Sequence, residues 1–595
     1  MEVDKLYKIR HSLAHVLAQA VLMIRPETKL GFGPAIDNGC YYDFEFKTPI
    51  SSDDFSQIEK NIKKIIGQKQ EFTESKKNLD DAIKFLNSNN ENYKAEYCHE
   101  LGTKGETEIA FYTNGPFTDM CAGPHLEHTG QIPGDCFLID SLAGAYWRGD
   151  EKNIQLTRIY CLAFNNKKEL KEYIKNRELA KARDHRKLGK DLELFKISDM
   201  IGPGLPLWMP NGNVIKEELE NFAKEQEIRA GYQRVTTPVL AKEALFKQSG
   251  HLDLYKEDMY PPMRFEEEDT NYYLKPMNCP LHHEIYNFRP RSYKELPLRL
   301  AEYAPVYRYE SSGSLSGLLR VRSICQNDAH IYCTTAQIKE ELISTFKMTV
   351  EYYNKFRLNG VKFRYSIHDP EKKGKYADNP KLWEYSEKIV KEVLDELKVD
   401  YEVGKDEAAF YGPKIDFQAK SVLGREETIG TTQLDFGQPV SFDLKYINEN
   451  NEEEMIYIIH RAPLGSHERT VAFLIEHLGG AFPTWMSPMQ VKIVPVNDSC
   501  LDYAKKLESE LRQDLIRVSV DISNNTFNKK VREAIISKTP NILVIGNKEV
   551  ENGTVTWKKY ATQKKQETVS IAEFKDRINK SISERLMDNF EDTTV

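Results

Sequence analysis

The sequence predicts a multidomain chain of α+β and α/β units, and three observations carry that prediction. The chain has 595 residues, room for roughly four domains of about 150 residues each. It is 40% hydrophobic and 29% charged, a globular composition in which blocks of that size bury cores of their own. Its patterning changes character three times, which divides it into four segments.

Residues 1–164 mix short β-type runs, at 39–44 and 109–112, with helical stretches, an α+β pattern. Residues 165–196 follow as a Lys/Arg/Glu-rich segment. Between 165 and 195 there are ten Lys and Arg against six Asp and Glu, with no Gly or Pro before Gly189. That predicts a long exposed linking helix. The turn Ile201-Gly202-Pro203-Gly204-Leu205-Pro206 opens a third block, 197–487, in which Pro and Gly punctuate β-rich runs. Pro483 to Pro488 marks the last boundary. Residues 488–595 alternate strand-like runs (491–496, 518–522, 542–545) with helical ones (501–511, 527–536), a small α/β domain.

Composition narrows the function. No run of 18 apolar residues occurs, and Met1-Glu2-Val3-Asp4-Lys5 lacks a signal peptide's layout, so the expectation is a cytoplasmic protein outside the membrane. Nine cysteines lie scattered without a C-x-x-C pair, which fits a reducing compartment. The net charge is −8, yet the C-terminal segment carries 18 basic residues against 16 acidic. An acidic chain with basic surfaces can bind a polyanion at chosen places; solvated helix faces are the other reading.

Three sites in the central block make sense together. A helical run at 217–228 leads into Gly231-Tyr232-Gln233-Arg234-Val235-Thr236-Thr237-Pro238. A Pro closing a β-branched strand suits a sheet edge. Next, a strand ending in Arg308-Tyr309-Glu310, a polar loop and Leu318-Leu319-Arg320-Val321-Arg322 predict a hairpin. Such a hairpin projects Arg308 and Glu310 together, with Arg320 and Arg322 returning opposite. Guanidinium forks match phosphate oxygens and Glu310 suits an exocyclic amine, although a cross-strand ion-pair ladder has the same residues. Third, Gly465-Ser466-His467-Glu468-Arg469 opens an apolar helix, where glycine lets a ligand approach the backbone.

In this order the three sites resemble the motifs of class II aminoacyl-tRNA synthetases. Leu274-Lys275-Pro276-Met277-Asn278-Cys279-Pro280, Asp328-Ala329-His330-Ile331-Tyr332-Cys333 and His460-Arg461-Ala462 are similar to the threonyl-tRNA synthetase family. Tyr411-Gly412-Pro413-Lys414-Ile415-Asp416-Phe417 and Gln433-Leu434-Asp435-Phe436 agree. The resemblance implies an editing domain at 1–164, a linker helix at 165–196, an antiparallel class II catalytic sheet with flanking helices at 197–487, and an α/β anticodon-binding domain at 488–595. It also implies ATP-dependent activation of L-threonine, transfer to tRNA(Thr), and a homodimer. Catalytic roles fall on Arg308, Arg469, His251 and Lys414. ATP binding falls on Arg308, Glu310, Arg320, Gln326, Ser466 and Arg469, with Mg2+, and threonine binding on Asp328, Tyr411 and Gln433. His251, in Ser249-Gly250-His251-Leu252-Asp253, matches the family histidine that takes a proton from the terminal ribose. A catalytically silent, RNA-binding relative is the competing reading, and a prolyl or seryl enzyme gives no reason for Cys279, His330 and His460 together.

The resemblance selects those three as ligands of one zinc ion per chain. Spacing alone nominates the pair Cys279 and His282 instead, with His282 and His283 belonging to the following helix. Three N/S ligands with an open position can take a substrate. A site that demands threonine's hydroxyl rejects valine, but serine differs by one methyl, only about 1–3 kcal/mol. A second sieve is therefore expected. His11 and His15 stand at i and i+4 on one helical face, with Cys121 and His125 far downstream. Read alone, this quartet suggests structural zinc, or simply core and surface histidines; by resemblance it positions water and mischarged tRNA, with Lys94 and Asp119, for hydrolysis of Ser-tRNA(Thr).

Four departures from the family pattern stand out. Ser323 and Ile324 replace a usual Gly-Phe whose ring stacks on adenine, and Glu427-Thr428-Ile429 precede Gly430 in place of the usual residues. In the anticodon region Glu549 matches, but Lys558 replaces an arginine and cannot make its bidentate base contact. The family's further small N-terminal domain has no counterpart before His11.

Overall fold

A computed structural model describes residues 4–265, 267–372, 374–421, 424, 426–562 and 565–589. The chain resolves into two compact units, residues 1–178 and 179–595.

The first unit is α+β. Helix Lys5–Leu22 is capped by Asp4, whose carboxylate accepts from Leu6 N–H, and it buries Ile9, His11, Leu13, His15, Val16 and Leu17. It packs on a sheet ordered Lys29–Leu30, Gly39–Glu45, Gln155–Ala163, Phe137–Tyr146. A second, antiparallel sheet holds Phe72–Asn78, Glu108–Asn114 and Phe117–Met120.

The single linking helix expected over 165–196 is corrected to two, Lys167–Arg183 and His185–Asp191. Asp184 makes the break: its side chain accepts from Arg186 N–H and caps the second helix. That second helix is not an exposed spacer, because it buries His185, Leu188 and Gly189.

The second unit is built on an eight-stranded sheet. Its order is Gln233–Arg234, Leu298–Tyr307, Ser323–Cys333, Tyr457–Ala462, Glu426–Asp435, Lys414–Lys420, Lys362–Ile367, Tyr401–Lys405. The two outermost pairs are parallel and every pair between them antiparallel. Helices Ile338–Lys355 and Pro380–Leu397 bury apolar faces in the core shared with His467–Leu478. The expected hairpin is also corrected. Its strands stop at Tyr307 and resume at Ser323, so Arg308, Glu310, Arg320 and Arg322 all sit in the connection. One further ladder bond, Arg308 N–H to Arg322 C=O at 2.9 Å, continues the pairing before the polar, glycine-containing loop leaves it.

The C-terminal α/β pattern folds as a mixed sheet. Val491–Pro495 pairs in parallel with Val518–Val520 and Asn541–Ile545, and Thr554–Lys559 and Gln566–Ser570 extend it antiparallel. Arg517 and Arg585 both pair with Glu218 on helix Pro210–Arg229, at 2.9 and 3.2 Å, and Asp588 accepts from Thr484. Among the described residues no helix is long and apolar enough to cross a membrane.

Candidate functional site

Sheet register assembles the main site. Across neighbouring strands Gln433 lies opposite His460 and His460 opposite His330. Directly opposed residues share a sheet face, and alternation adds Gln326, Asp328, Thr431 and Ala462 to it. Cys279 comes from the start of helix Cys279–Tyr286. The ligand atoms of Cys279, His330 and His460 all lie within 4.8 Å of one another, and all three residues are buried. A cavity of about 380 Å³ opens beside them, lined also by Arg308, Gln326, Asp328, Tyr411 and Gln433.

The outer hydrogen bonds orient the two rings. His460 Nε2 lies 2.7 Å from Asp435 Oδ2. His330 Nδ1 lies 2.8 Å from His282 Nδ1, whose Nε2 faces Glu302 Oε2 at 3.1 Å. Nδ1 of His460 and Nε2 of His330 are then the nitrogens left for a metal, each ring backed by a carboxylate directly or through His282. One thiol and two imidazoles with an open side fit zinc that takes a substrate. Burial pushes the Cys279 thiol up, with the Asp328 and Asp435 carboxylates adding to it. His282 thus supports the cluster, while Asn278 Nδ2 donates to Asp328 Oδ2 at 3.0 Å. Sequence reading missed both supporting roles. It also missed Lys375, Tyr376 and Phe410 in the wall, which carry no motif.

The remaining predicted residues divide. Tyr411 OH donates to Gln433 Oε1, and its ring stacks on His460 at 4.8 Å. Ser466 caps helix His467–Leu478 and forms a bridge with Gln326, joining the third motif to the second. Arg469 holds the carbonyls of Leu319 and Thr428, at 3.2 and 2.9 Å. Glu310 is paired with Arg320 at 2.9 Å, so an incoming nucleotide must compete with that pair. His251 is fully buried; its Nδ1 lies 2.8 Å from Ser249 Oγ and its Nε2 is unpartnered. Burial, then the Arg308 guanidinium and His460, push its pKa down to about 3, so the ring is neutral and its Nε2 can accept a hydrogen bond. Lys414 pairs with Asp416 and is not in the cavity wall.

Ile324 stands two residues before Gln326 on the same strand face and is half-buried. Its aliphatic face lacks the aromatic stacking term of about 0.5–1.5 kcal/mol. Ile324→Phe is expected to lower the ATP dissociation constant about two- to twelvefold by that term and leave threonine affinity unchanged, as read by calorimetric titration.

The N-terminal unit holds a second site. Cys121 Sγ lies 3.1 Å from His11 Nε2 and 3.3 Å from His125 Nε2. The His15 ring packs at a tilt against His125, with centroids 4.3 Å apart, and comes within 3.9 Å of Asp119. Lys94, fully buried, is held by Asp119, by Glu91 at 3.0 Å and by Tyr42 OH at 3.1 Å. Tyr42 and Glu91 were not foreseen. Burial keeps the three histidines and the cysteine uncharged: it pushes His125 down to about 2 and Cys121 up to about 12, and lowers His11 and His15. His11, His15, Asp119 and Cys121 face a cavity of about 580 Å³ rimmed by Phe32, Tyr41 and Tyr97.

In the C-terminal sheet Glu549 caps its own helix, accepting from Gly546 N–H at 2.9 Å and from Thr556 Oγ1 at 2.8 Å. Lys558 follows two residues after Thr556 and shares its strand face.

Family models match in three places. Residues 262–478 match the tRNA synthetase class II core domain (G, H, P, S and T), 490–581 the anticodon binding domain, and 109–160 the threonyl and alanyl tRNA synthetase second additional domain. Over 572 residues the chain is 46% identical to the threonine–tRNA ligase of Staphylococcus aureus, covering 96% of this chain and 87% of that one. The chain belongs to the threonyl-tRNA synthetases. Among solved structures it resembles the RNA binding domain of threonyl-tRNA synthetase from Cryptosporidium parvum, with TM-score 0.63 and 35% identity over 67% of this chain and 98% of that one. A prolyl-tRNA synthetase from Giardia lamblia shares the fold, with TM-score 0.55 and 17% identity over 70% and 82%. The synthetase activates threonine with ATP and Mg2+, transfers it to tRNA, and edits mischarged tRNA. The matches give no support to a silent RNA-binding relative.

Proposed function

We propose that threonine is selected and activated in the cavity beside Cys279, His330 and His460, and that these three residues hold one zinc ion per chain. The observation that carries this is the register of three strands, which sets two of the ligands, Asp328 and Gln433 on one face next to Arg308. Bound there, zinc supplies a Lewis-acid position for the amino group and hydroxyl of threonine. Asp328, steadied by Asn278, accepts from the hydroxyl. Arg308 neutralises the α-phosphate while the threonine carboxylate attacks it, and Arg320 and Arg469 take the departing pyrophosphate. Glu310 and Gln326 read the nucleotide, and Ser466 positions the start of the Arg469 helix. Tyr411 and Gln433 fix the amino acid. Mg2+ bound with ATP would supply further charge neutralisation at the polyphosphate beside these arginines. His251, neutral with a free Nε2, takes the ribose proton in transfer. Lys414 keeps its predicted catalytic role only by leaving Asp416.

In the same reading residues 1–164 edit, 165–196 link, 197–487 catalyse and 488–595 bind the anticodon through Glu549 and Lys558. His11, His15, Lys94, Asp119, Cys121 and His125 position water against Ser-tRNA(Thr). The enzyme works as a cytoplasmic homodimer.

Asp328→Ala tests the hydroxyl reading. Sites that hydrogen-bond a substrate hydroxyl reject its isostere by about 10⁴–10⁵, whereas shape alone gives about 10². The ratio of threonine- to valine-dependent ATP–pyrophosphate exchange is expected to fall by about 10² or more in the variant. An unchanged ratio removes Asp328 from recognition.

A further inference from the structure

We propose that His185, outside all three synthetase motifs, is a positioning residue for the ATP-binding loop. It rests on the reading above, in which Arg320 binds the polyphosphate. His185 opens helix His185–Asp191 and is 2% exposed. Its Nδ1 lies 2.7 Å from Glu476 Oε1, and its Nε2 lies 3.1 Å from the backbone nitrogen of Leu318. A backbone N–H can only donate, so Nε2 is the acceptor and Nδ1 carries the proton that goes to Glu476. The ring therefore joins two parts of the nucleotide site. Glu476 belongs to helix His467–Leu478, which also presents Arg469, and Leu318 stands two residues before Arg320.

The loop is shaped for this contact. Gly317 has φ +49°, and a Cβ there would stand 2.1 Å from His185 Nε2. Leu318 is fully buried, whereas residues 312 and 313 at the loop tip are exposed. Arg469 grips the next residue through the Leu319 carbonyl at 3.2 Å, and Gly204 accepts from Arg322 N–H at 2.7 Å. His185 is thus the first of three backbone grips on the stretch that carries Arg320. Without it the backbone on that side of Arg320 keeps, beside the buried Leu318 side chain, only the Arg469 hydrogen bond from outside the loop, and that arginine is itself assigned to ATP. The loop then has to be ordered when the nucleotide binds, which weakens ATP affinity and leaves the zinc-side threonine contacts as they are.

Two substitutions dissect the ring. His185→Asn keeps a donor near the Nδ1 position for Glu476 and loses the acceptor for Leu318. His185→Gln keeps an acceptor near the Nε2 position and loses the donor. In threonine-dependent ATP–pyrophosphate exchange, H185N is expected to raise the ATP KM about tenfold, the cost of one buried N–H left unpaired. H185Q is expected to stay within about threefold, and threonine KM to change less than about twofold in both. Gly317→Ala, with His185 intact, is expected to reproduce the H185N effect. Thermal unfolding of each full-length variant separates this from general destabilisation. Equal ATP effects in H185N and H185Q, or a matching rise in threonine KM, would overturn the proposal. Arg320→Ala is the control on the underlying reading. If it leaves the ATP KM unchanged, that reading fails; if it raises KM while H185N and G317A do not, the His185 proposal alone fails.

Discussion

Cys279→Ala is expected to lose both its zinc and its threonine activation. The buried ligand atoms of Cys279, His330 and His460 lie within 4.8 Å of one another, and removing the thiolate leaves two imidazoles, too few for a structural or catalytic zinc site. Metal content, measured by atomic emission, should fall from about one per chain to near zero, since affinity for structural zinc rests on the full donor set. Exchange with threonine should fall by at least about 10³, because the hydroxyl- and amine-specific contacts vanish together. ATP binding should survive, because Arg308, Glu310 and Arg469 are held by the Pro276, Leu319 and Thr428 carbonyls and by Arg320, independently of the thiol. A metal-free variant with full threonine-dependent exchange would remove zinc from the account.

The second large effect belongs to the N-terminal unit. His11→Ala is expected to slow hydrolysis of Ser-tRNA(Thr) about 10²–10⁴-fold, the usual contribution of a positioned acid–base group. Threonyl-adenylate formation should be unchanged. His11 is the better target because it faces the cavity and contacts only Cys121 and the Pro124 carbonyl among its described hydrogen bonds. Lys94 and Asp119 form a buried pair, and breaking it leaves an uncompensated charge costing about 3–5 kcal/mol. A loss of editing there would be confounded with unfolding. Deacylation of purified Ser-tRNA(Thr), with circular dichroism as the folding control, gives the reading. Unimpaired hydrolysis by His11→Ala would mean the histidine only lines the cavity.

Much of this was legible in the sequence because the chemistry sits in short runs. His11 and His15 are four residues apart on a helix, and Gln326, Asp328 and His330 alternate on one strand, so local periodicity alone puts each set on a face. Bringing Cys279, His330 and His460 together needed the register of distant strands, which spacing does not encode; family resemblance supplied it. The misplaced strand ends at 308–322 have a local cause. Arg and Tyr are compatible with a strand, but Gly313, Gly317 and the grip of Gly204 on Arg322 pull the segment off the ladder. The linker was misread because ten basic residues suggested full exposure, while His185, Leu188 and Gly189 between them face inward. His282, Asn278 and Tyr42 were passed over because each acts through another side chain, and such support appears only when both partners are located.

The central claim is that a zinc-held hydroxyl selects threonine in the cavity beside Cys279. Its most direct test is amino-acid-dependent ATP–pyrophosphate exchange by the intact chain, before and after zinc removal by a chelator and after zinc is restored. The account predicts exchange with threonine and, more weakly, serine, almost none with valine, loss of all of it without zinc, and recovery on zinc addition. Exchange with threonine that persists in metal-free protein, or valine activated as well as serine, would contradict it.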